Sequence, residues 1–507
     1  MEALEEVVWG LLRLLLAVSV LAFGLYCCYL KSIHMKYDHI PGAPRASFFF
    51  GHMPMLWRIL KNKECAHDLF LQWANEYGPV FRFNAFHRVA ILVLSPEGVK
   101  EFLMLPQYPK DRITYGRLFN LCGVRFLGNG LVTDLDYDHW HKQRRIMDPA
   151  FSRNYLMGLM APFNEQTEEL MRELDEKADG ETAVDVMSLL KRVTLDIIAK
   201  VAFGLELNTL HDESTPFPHA MNMIIKGLGQ SRNPSFKYLP KYRKEVKEVQ
   251  ESLLLLRRFG RECIKQRRKA IRNGEEIPLD ILTQILKGAA EEGDSDDEIL
   301  LDNFVTFFIA GHETTANMLS FTIMELGRQP DVMKKLQAEV DEVVGAKRDV
   351  AYENLTELKY LSQVLKESLR LYPPASGTVR WTEKECVIEG IKIPAKTTVM
   401  FSTYVMGRME RFFKDALVFD PERFSKDQPR PSFCYFPFSL GPRSCIGQIF
   451  ALMEAKVVMA KFLQRFEFQL VPPQSFKILD TGTLTPLDGV VCRLRPRRQM
   501  GGEGNTY

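Results

Sequence analysis

Paired cysteines are missing from this chain. Its nine cysteines are scattered over 507 residues, none forms a CxxC pair, and Cys27 and Cys28 fall inside an apolar run. That pattern excludes a disulfide framework and a cysteine zinc site, and it fits a reducing compartment. Excess charge is missing too: 66 Lys and Arg offset 64 Asp and Glu, leaving +2. No overall basic field is available to attract nucleic acid. Basic runs such as Arg267-Arg268-Lys269 read as solvated helix faces. No internal repeat appears, and glycines 123, 128 and 130 are too loosely placed for a dinucleotide fingerprint.

A long apolar run is present at the N-terminus. Residues 7–30 are apolar apart from Arg13, Ser19 and glycines. As a helix they would span roughly 36 Å, enough to cross a bilayer. Glu2, Glu5 and Glu6 precede the run; Lys31, His34, Lys36 and Arg45 follow it. Positive charge on the C-terminal flank places the main body in the cytoplasm. The acidic start, the length and the lack of a small-residue cleavage site argue against a removed signal peptide. Pro41-Gly42-Ala43-Pro44 then reads as a short hinge.

Downstream, helical patterning dominates. Residues 80–83 and 89–94 predict a small hairpin. Residues 138–271 are mostly helical, with breaks at Pro149, Gly204, Pro216, Pro218, Pro234 and Pro240. An acidic loop at 291–298 leads into a long helix that stops before Pro330. A helix over 358–371 stops before Pro373-Pro374, residues 378–398 read as strands and turns, and a last long helix is expected from Cys445 to about Phe466. The fold class is mainly α with a minor β-sheet.

The densest chemistry lies in Phe438-Ser439-Leu440-Gly441-Pro442-Arg443-Ser444-Cys445-Ile446-Gly447. A cysteine thiolate is an anion, and it needs N–H donors and a helix start to stay deprotonated. Gly441 and Gly447 permit a tight turn and the close approach of a flat cofactor. Arg443 supplies a cation for a carboxylate. Phe438 is expected to cover the sulfur and keep water out. This run resembles the cysteine-ligand loop of the cytochromes P450, in which the thiolate is the axial ligand of haem.

Three further segments match in the expected order. Glu367-Ser368-Leu369-Arg370 resembles the family's Glu-x-x-Arg helix, with Arg423 of Pro421-Glu422-Arg423-Phe424 joining the pair. Their implied role is structural support of the cysteine loop. Trp140-His141-Lys142-Gln143-Arg144 resembles the Trp-x-x-x-Arg helix, whose two side chains face a haem propionate; Arg380 fits a further propionate cation. His139 and His141 diverge on a helix and read as surface or packing residues. Ala310-Gly311-His312-Glu313-Thr314-Thr315 resembles the acid–alcohol motif within a helix that is apolar nearly all round. By that resemblance Glu313 relays protons and Thr314 holds oxygen. Gly311 is expected to open space over the iron beside Ala310.

The resemblance therefore implies a cytochrome P450 fold behind a single transmembrane helix. The cofactor is haem b with Cys445 as metal ligand; O2 and NADPH-derived electrons are cosubstrates. Electrons arrive from NADPH–cytochrome P450 reductase, docked on basic residues such as Lys142 or Arg145. The implied place is the endoplasmic reticulum membrane, with the catalytic domain in the cytoplasm. Expected boundaries are 1–30 for the anchor, 31–44 for a basic, proline-containing linker, 45–498 for the catalytic domain and 499–507 for a flexible tail.

Within the family the chain most resembles the cholesterol 24-hydroxylases, over residues 140–145, 280–287, 303–317, 360–374, 401–409 and 435–448. That implies hydroxylation of a cholesterol side chain. One departure stands out: Ser376 and Val379, with Trp381 shortly after, occupy a loop where that branch carries bulky aromatics. Another sterol, a bile-acid precursor or a fatty acid therefore stays open as substrate. Expected pocket residues are Tyr115, Phe126, Ile225, Ala310, Ala375, Val379 and Thr483. A peroxide-rearranging haem-thiolate enzyme has no need of Glu313 and Thr314. A non-catalytic membrane-anchored sterol- or haem-binding protein gives no reason to carry Cys445, Glu313 and Thr314 together.

Overall fold

A computed structural model describes residues 2–233, 235–293, 296–428 and 431–497. The expected break at Pro234, the centre of the acidic loop and the 499–507 tail lie outside the described residues.

Helix α1 runs over Glu2–Tyr37. It is long and apolar enough to cross a membrane, and its apolar window is wholly exposed on the protein. It continues seven residues past Leu30, which corrects the expected linker at 31–44: its first half is helical. The reason is packing. Leu30, His34 and Tyr37 are buried. The Tyr37 hydroxyl lies 2.8 Å from Thr397 Oγ1, and Lys36 Nζ donates to Ala395 O at 3.1 Å. The last turns of α1 thus rest on the body of the protein.

A four-stranded sheet holds the chain on that side. Its strands are β1 (Val80–Ala85), β2 (Arg88–Val93), β3 (Gly377–Thr382) and β4 (Thr397–Ser402), in the order β1-β2-β4-β3. β1 and β2 form the predicted hairpin, β2 pairs parallel to β4, and β3 pairs antiparallel to β4 with Arg380 opposite Val399. A separate hairpin near the C-terminus joins β5 (Ile478–Asp480) to β6 (Leu484–Pro486).

Six helices position the site: α2 (Tyr137–Met147), α3 (Val186–Phe203), α4 (Phe217–Gln230), α5 (Asp297–Arg328), α6 (Lys359–Leu371) and α7 (Gln448–Arg465). α5 is the axis. The Asp296 carboxylate caps it by accepting from the N–H groups of Glu298 and Ile299 at 2.9 and 3.2 Å. Asp297 and Glu298 then complement the positive end of the helix dipole. Pro330 bars its continuation. Phe304 and Phe308 lock it to Phe203 of α3, with ring centroids 4.2 and 5.5 Å apart. Truncating one such buried ring costs about 3–5 kcal/mol. α3, α6 and α7 all pack on α5, so a helix carrying Glu313 and the helix following Cys445 share one core.

Candidate haem site

The cysteine loop is a tight turn rather than a helix start. Ser439 and Gly441 take left-handed φ values of 59° and 69°. Cys445 N–H donates to Phe438 O at 2.8 Å, closing the loop. α7 begins only at Gln448, which corrects the expected start at Cys445. Gly441 also serves another purpose than expected. A Cβ there would lie 2.1 Å from Leu103 O, so the glycine admits protein backbone, not cofactor. At Gly447 a Cβ would meet only Cys445 Sγ, at 3.8 Å. Space beside the sulfur is therefore kept on the Gly447 side. Cys445 is surrounded by protein but not covered by it, and its surface is open. Burial raises its pKa, while the Gly447 N–H and the charge of Arg144 oppose that shift. Phe438 is half-buried and packs against the core.

Behind the loop lies a closed ionic cluster. Arg370 Nε and Nη2 donate to the two Glu367 oxygens at 2.7 and 2.6 Å, both side chains being fully buried. Arg423 Nε donates to Glu367 Oε1 at 3.3 Å, and Asp420 N–H donates to the same oxygen at 2.8 Å. The remaining guanidinium protons of Arg370 reach the carbonyls of Gly407, Ala416 and Val418. Carboxylate and cations are both satisfied, which a buried ion pair requires if it is to hold.

A second cluster is open. Arg443 stacks over the Trp140 ring at 4.0 Å and donates to Asp134 O at 2.9 Å. Arg144 donates to Ser444 O at 2.7 Å and to Asp148 at 2.5 Å. Arg380, on β3, is buried and donates to Thr378 Oγ1 and Val379 O. Lys110 is buried beside them; it donates to Val132 O and lies over the Tyr115 ring at 4.5 Å. Among the described residues no carboxylate forms an ion pair with Lys110, Arg380 or Arg443. Asp134, the nearest, is taken by His139 at 2.5 Å and Gln143 at 2.7 Å. Burial, then the charges of Arg380 and Arg443, pushes the Lys110 amine well below its ordinary value. Burial likewise brings Arg443 down to about 10. Two buried cations and one half-buried cation without paired carboxylates are costly. The donor set fits a dicarboxylate group such as haem with its two propionates.

The middle of α5 presents one open stripe. Ala310 is exposed, and Gly311 and Thr314 are half-buried, within a helix otherwise buried on all sides. Thr314 Oγ1 donates to Ala310 O at 2.6 Å. The expected role of Gly311 is corrected: a Cβ there would lie 2.8 Å from Ile198 Cδ1, so the glycine admits α3 instead of opening the stripe. Glu313 points toward α3. Lys191 Nζ lies 3.1 Å from its Oε1, and Asn317 Nδ2 donates to the same atom at 3.2 Å. Burial works against this carboxylate, but Lys191, His312 and Asn317 more than offset it and hold its pKa below the ordinary value. His312 is buried, and burial brings it down to about 4, so it is neutral at physiological pH.

The expected pocket residues separate. Ala310 and Ala375 are exposed, and Val379 and Thr483 are half-buried. Phe126 and Ile225 are buried in the packed core. Tyr115 joins the cation cluster, its hydroxyl 3.0 Å from Thr378 Oγ1. Of the basic residues expected to face a redox partner, Arg145 already pairs with Glu292 at 2.5 Å. Lys110, Lys191 and Asn317 were not legible in the sequence. Lys110 and Lys191 stand outside every motif, and only tertiary packing brings them to Arg380 and Glu313.

Residues 41–493 match the Cytochrome P450 family, and the chain belongs to that family. It is 29% identical to Cytochrome P450 4d2 of Drosophila melanogaster over 480 residues, 90% of this chain and 94% of that protein. It is 27% identical to Cytochrome P450 3A12 of Canis lupus familiaris over 512 residues, 96% of each. It is 28% identical to the chloroplastic Carotene epsilon-monooxygenase of Arabidopsis thaliana over 450 residues, 84% of this chain and 81% of that protein. The family supplies a haem-thiolate iron, oxygen and NADPH-derived electrons. The chain is thus a cytochrome P450 monooxygenase. None of these three names is that of a sterol hydroxylase.

Proposed function

We propose that this monooxygenase hydroxylates a sterol-like lipid, with the side chain of cholesterol as first candidate. The stretches at 303–317, 360–374 and 435–448, whose sequences resemble those of the cholesterol 24-hydroxylases, support this reading. Haem, when bound, supplies the iron at which oxygen is activated. Cys445 would ligate it, with the Gly447 N–H steadying the sulfur. Arg380, Arg443, Arg144, Lys110 and Trp140 would hold the propionates. The Glu367, Arg370 and Arg423 cluster keeps the loop rigid. Glu313 relays protons behind the open stripe of α5, and Thr314 presents its hydroxyl on that stripe.

α1 anchors the protein in the endoplasmic reticulum membrane with the catalytic domain in the cytoplasm, where a lipid substrate and NADPH–cytochrome P450 reductase both arrive. Lys142 and Arg145 contribute to the reductase face. Ser376 and Val379 favour a second reading: less side chain in that loop leaves room for another sterol, a bile-acid precursor or a fatty acid.

Spectral titration of the holoenzyme with cholesterol, bile-acid precursors and fatty acids, followed by product analysis, tests the proposal. A substrate-type shift and a side-chain alcohol from cholesterol are expected. No shift with cholesterol and a clear shift with a fatty acid would overturn it.

A further inference from the structure

Thr483 lies at the tip of the β5–β6 hairpin. Its Oγ1 is 3.5 Å from Glu313 Oε1 and accepts from Asn317 Nδ2 at 3.3 Å. Three groups therefore converge on one carboxylate oxygen: Lys191, Asn317 and Thr483. No hydrogen bond reaches Oε2 among the described residues. A carboxylate held through one oxygen keeps the other as the atom that takes and gives a proton.

The hairpin that carries Thr483 is itself pinned. Asp480 pairs with Arg232, just past α4, at 2.6 Å and lies 3.6 Å from His67 Nε2. Gly229 of α4 lets the backbone close in: a Cβ there would lie 2.9 Å from Thr481 O. A Cβ at Gly482 would lie 3.0 Å from Leu228. Leu484 N–H donates to Pro374 O at 2.9 Å, tying the same tip to the loop of Ala375 and Ser376. The tip therefore touches α4, the post-proline loop and the proton donor at once.

We infer that Thr483 is a positioning residue for Glu313, holding Oε1 so that Oε2 serves proton delivery; this rests on the reading of Glu313 as the proton source. Through Asp480 the hairpin makes that position depend on where the end of α4 sits. The Thr483 hydroxyl supplies one of the three contacts on Oε1. Removing it raises the proton affinity of the carboxyl and frees it to rotate.

The test uses full-length holoenzyme with NADPH–cytochrome P450 reductase in phosphatidylcholine vesicles, and no substrate is needed. The readouts are the share of consumed NADPH that ends as hydrogen peroxide, and the pH profile of NADPH oxidation. Thr483→Val is expected to raise the peroxide share about threefold and to move the acid limb of the profile up by about half a pH unit. Thr483→Ser restores both. Asp480→Asn gives a smaller change in the same direction. Glu313→Gln separates the two claims. If it raises the peroxide share while Thr483→Val matches the native enzyme, the positioning role is overturned. If Glu313→Gln also leaves the share unmoved, the proton-source reading falls with it. Equal thiolate-type carbon monoxide spectra confirm that each variant is folded and loaded.

Discussion

Two arginine-containing clusters of this protein are opposites. Around Glu367, two arginines share one carboxylate, and every spare donor of Arg370 finds a backbone carbonyl. Around Trp140, Lys110, Arg380 and Arg443 crowd together, and among the described residues no carboxylate forms an ion pair with them. The first is complete in the polypeptide. The second is complete only when an anion arrives from outside. A saturated buried cluster holds a fold, whereas an unsaturated one marks a binding site.

Breaking the closed cluster should do the most damage. Glu367→Ala strands two cations and is expected to cost about 3–5 kcal/mol. Haem incorporation should be lost with it, as read from the absorption spectrum of the purified protein. A normal haem spectrum in that variant would show that the cluster does not hold the loop.

The open cluster should respond with two signs at once. Lys110→Met removes a buried amine that repels Arg380 and Arg443, so the protein without haem should gain about 1–2 kcal/mol in urea unfolding. Haem affinity should fall, because one propionate donor is gone. If both quantities fell together, Lys110 would belong to the structural class of Glu367.

A lone buried acid sharpens the contrast. Glu454 on α7 is fully buried, and among the described residues neither of its oxygens has a hydrogen-bond partner. Burial pushes its carboxyl well above the ordinary range. Its pKa is raised on folding, so the unfolded chain ionises first as pH rises above about 4.3, and stability falls from there toward the folded pKa. Glu454→Gln is therefore expected to stabilise the protein by about 1–3 kcal/mol more at pH 7 than at pH 5. Equal gains at both values would place Glu454 in its ionised form.

How far the sequence could be read follows the same division. Glu367 and Arg370 are legible because an i, i+3 spacing puts both on one helix face before any tertiary contact forms. Cys445 is legible because its turn is local. Lys110 is not, since its partners lie some 270 and 333 positions further along the chain. The glycines were misread for a related reason. A sequence shows that Gly441 and Gly311 leave room, but only the fold shows that Leu103 and Ile198 fill it. Phe126 and Ile225 are apolar residues of the kind that line cavities and cores alike, and the sequence alone does not separate the two; in the fold both are buried.

The claim on which the rest depends is that the Cys445 thiolate ligates haem. The carbon monoxide spectrum of the reduced full-length protein tests it most directly. The native protein should show the band characteristic of thiolate ligation, and Cys445→Ser should lose it. A native spectrum of the histidine-ligated type, or a thiolate band that survives Cys445→Ser, would contradict it.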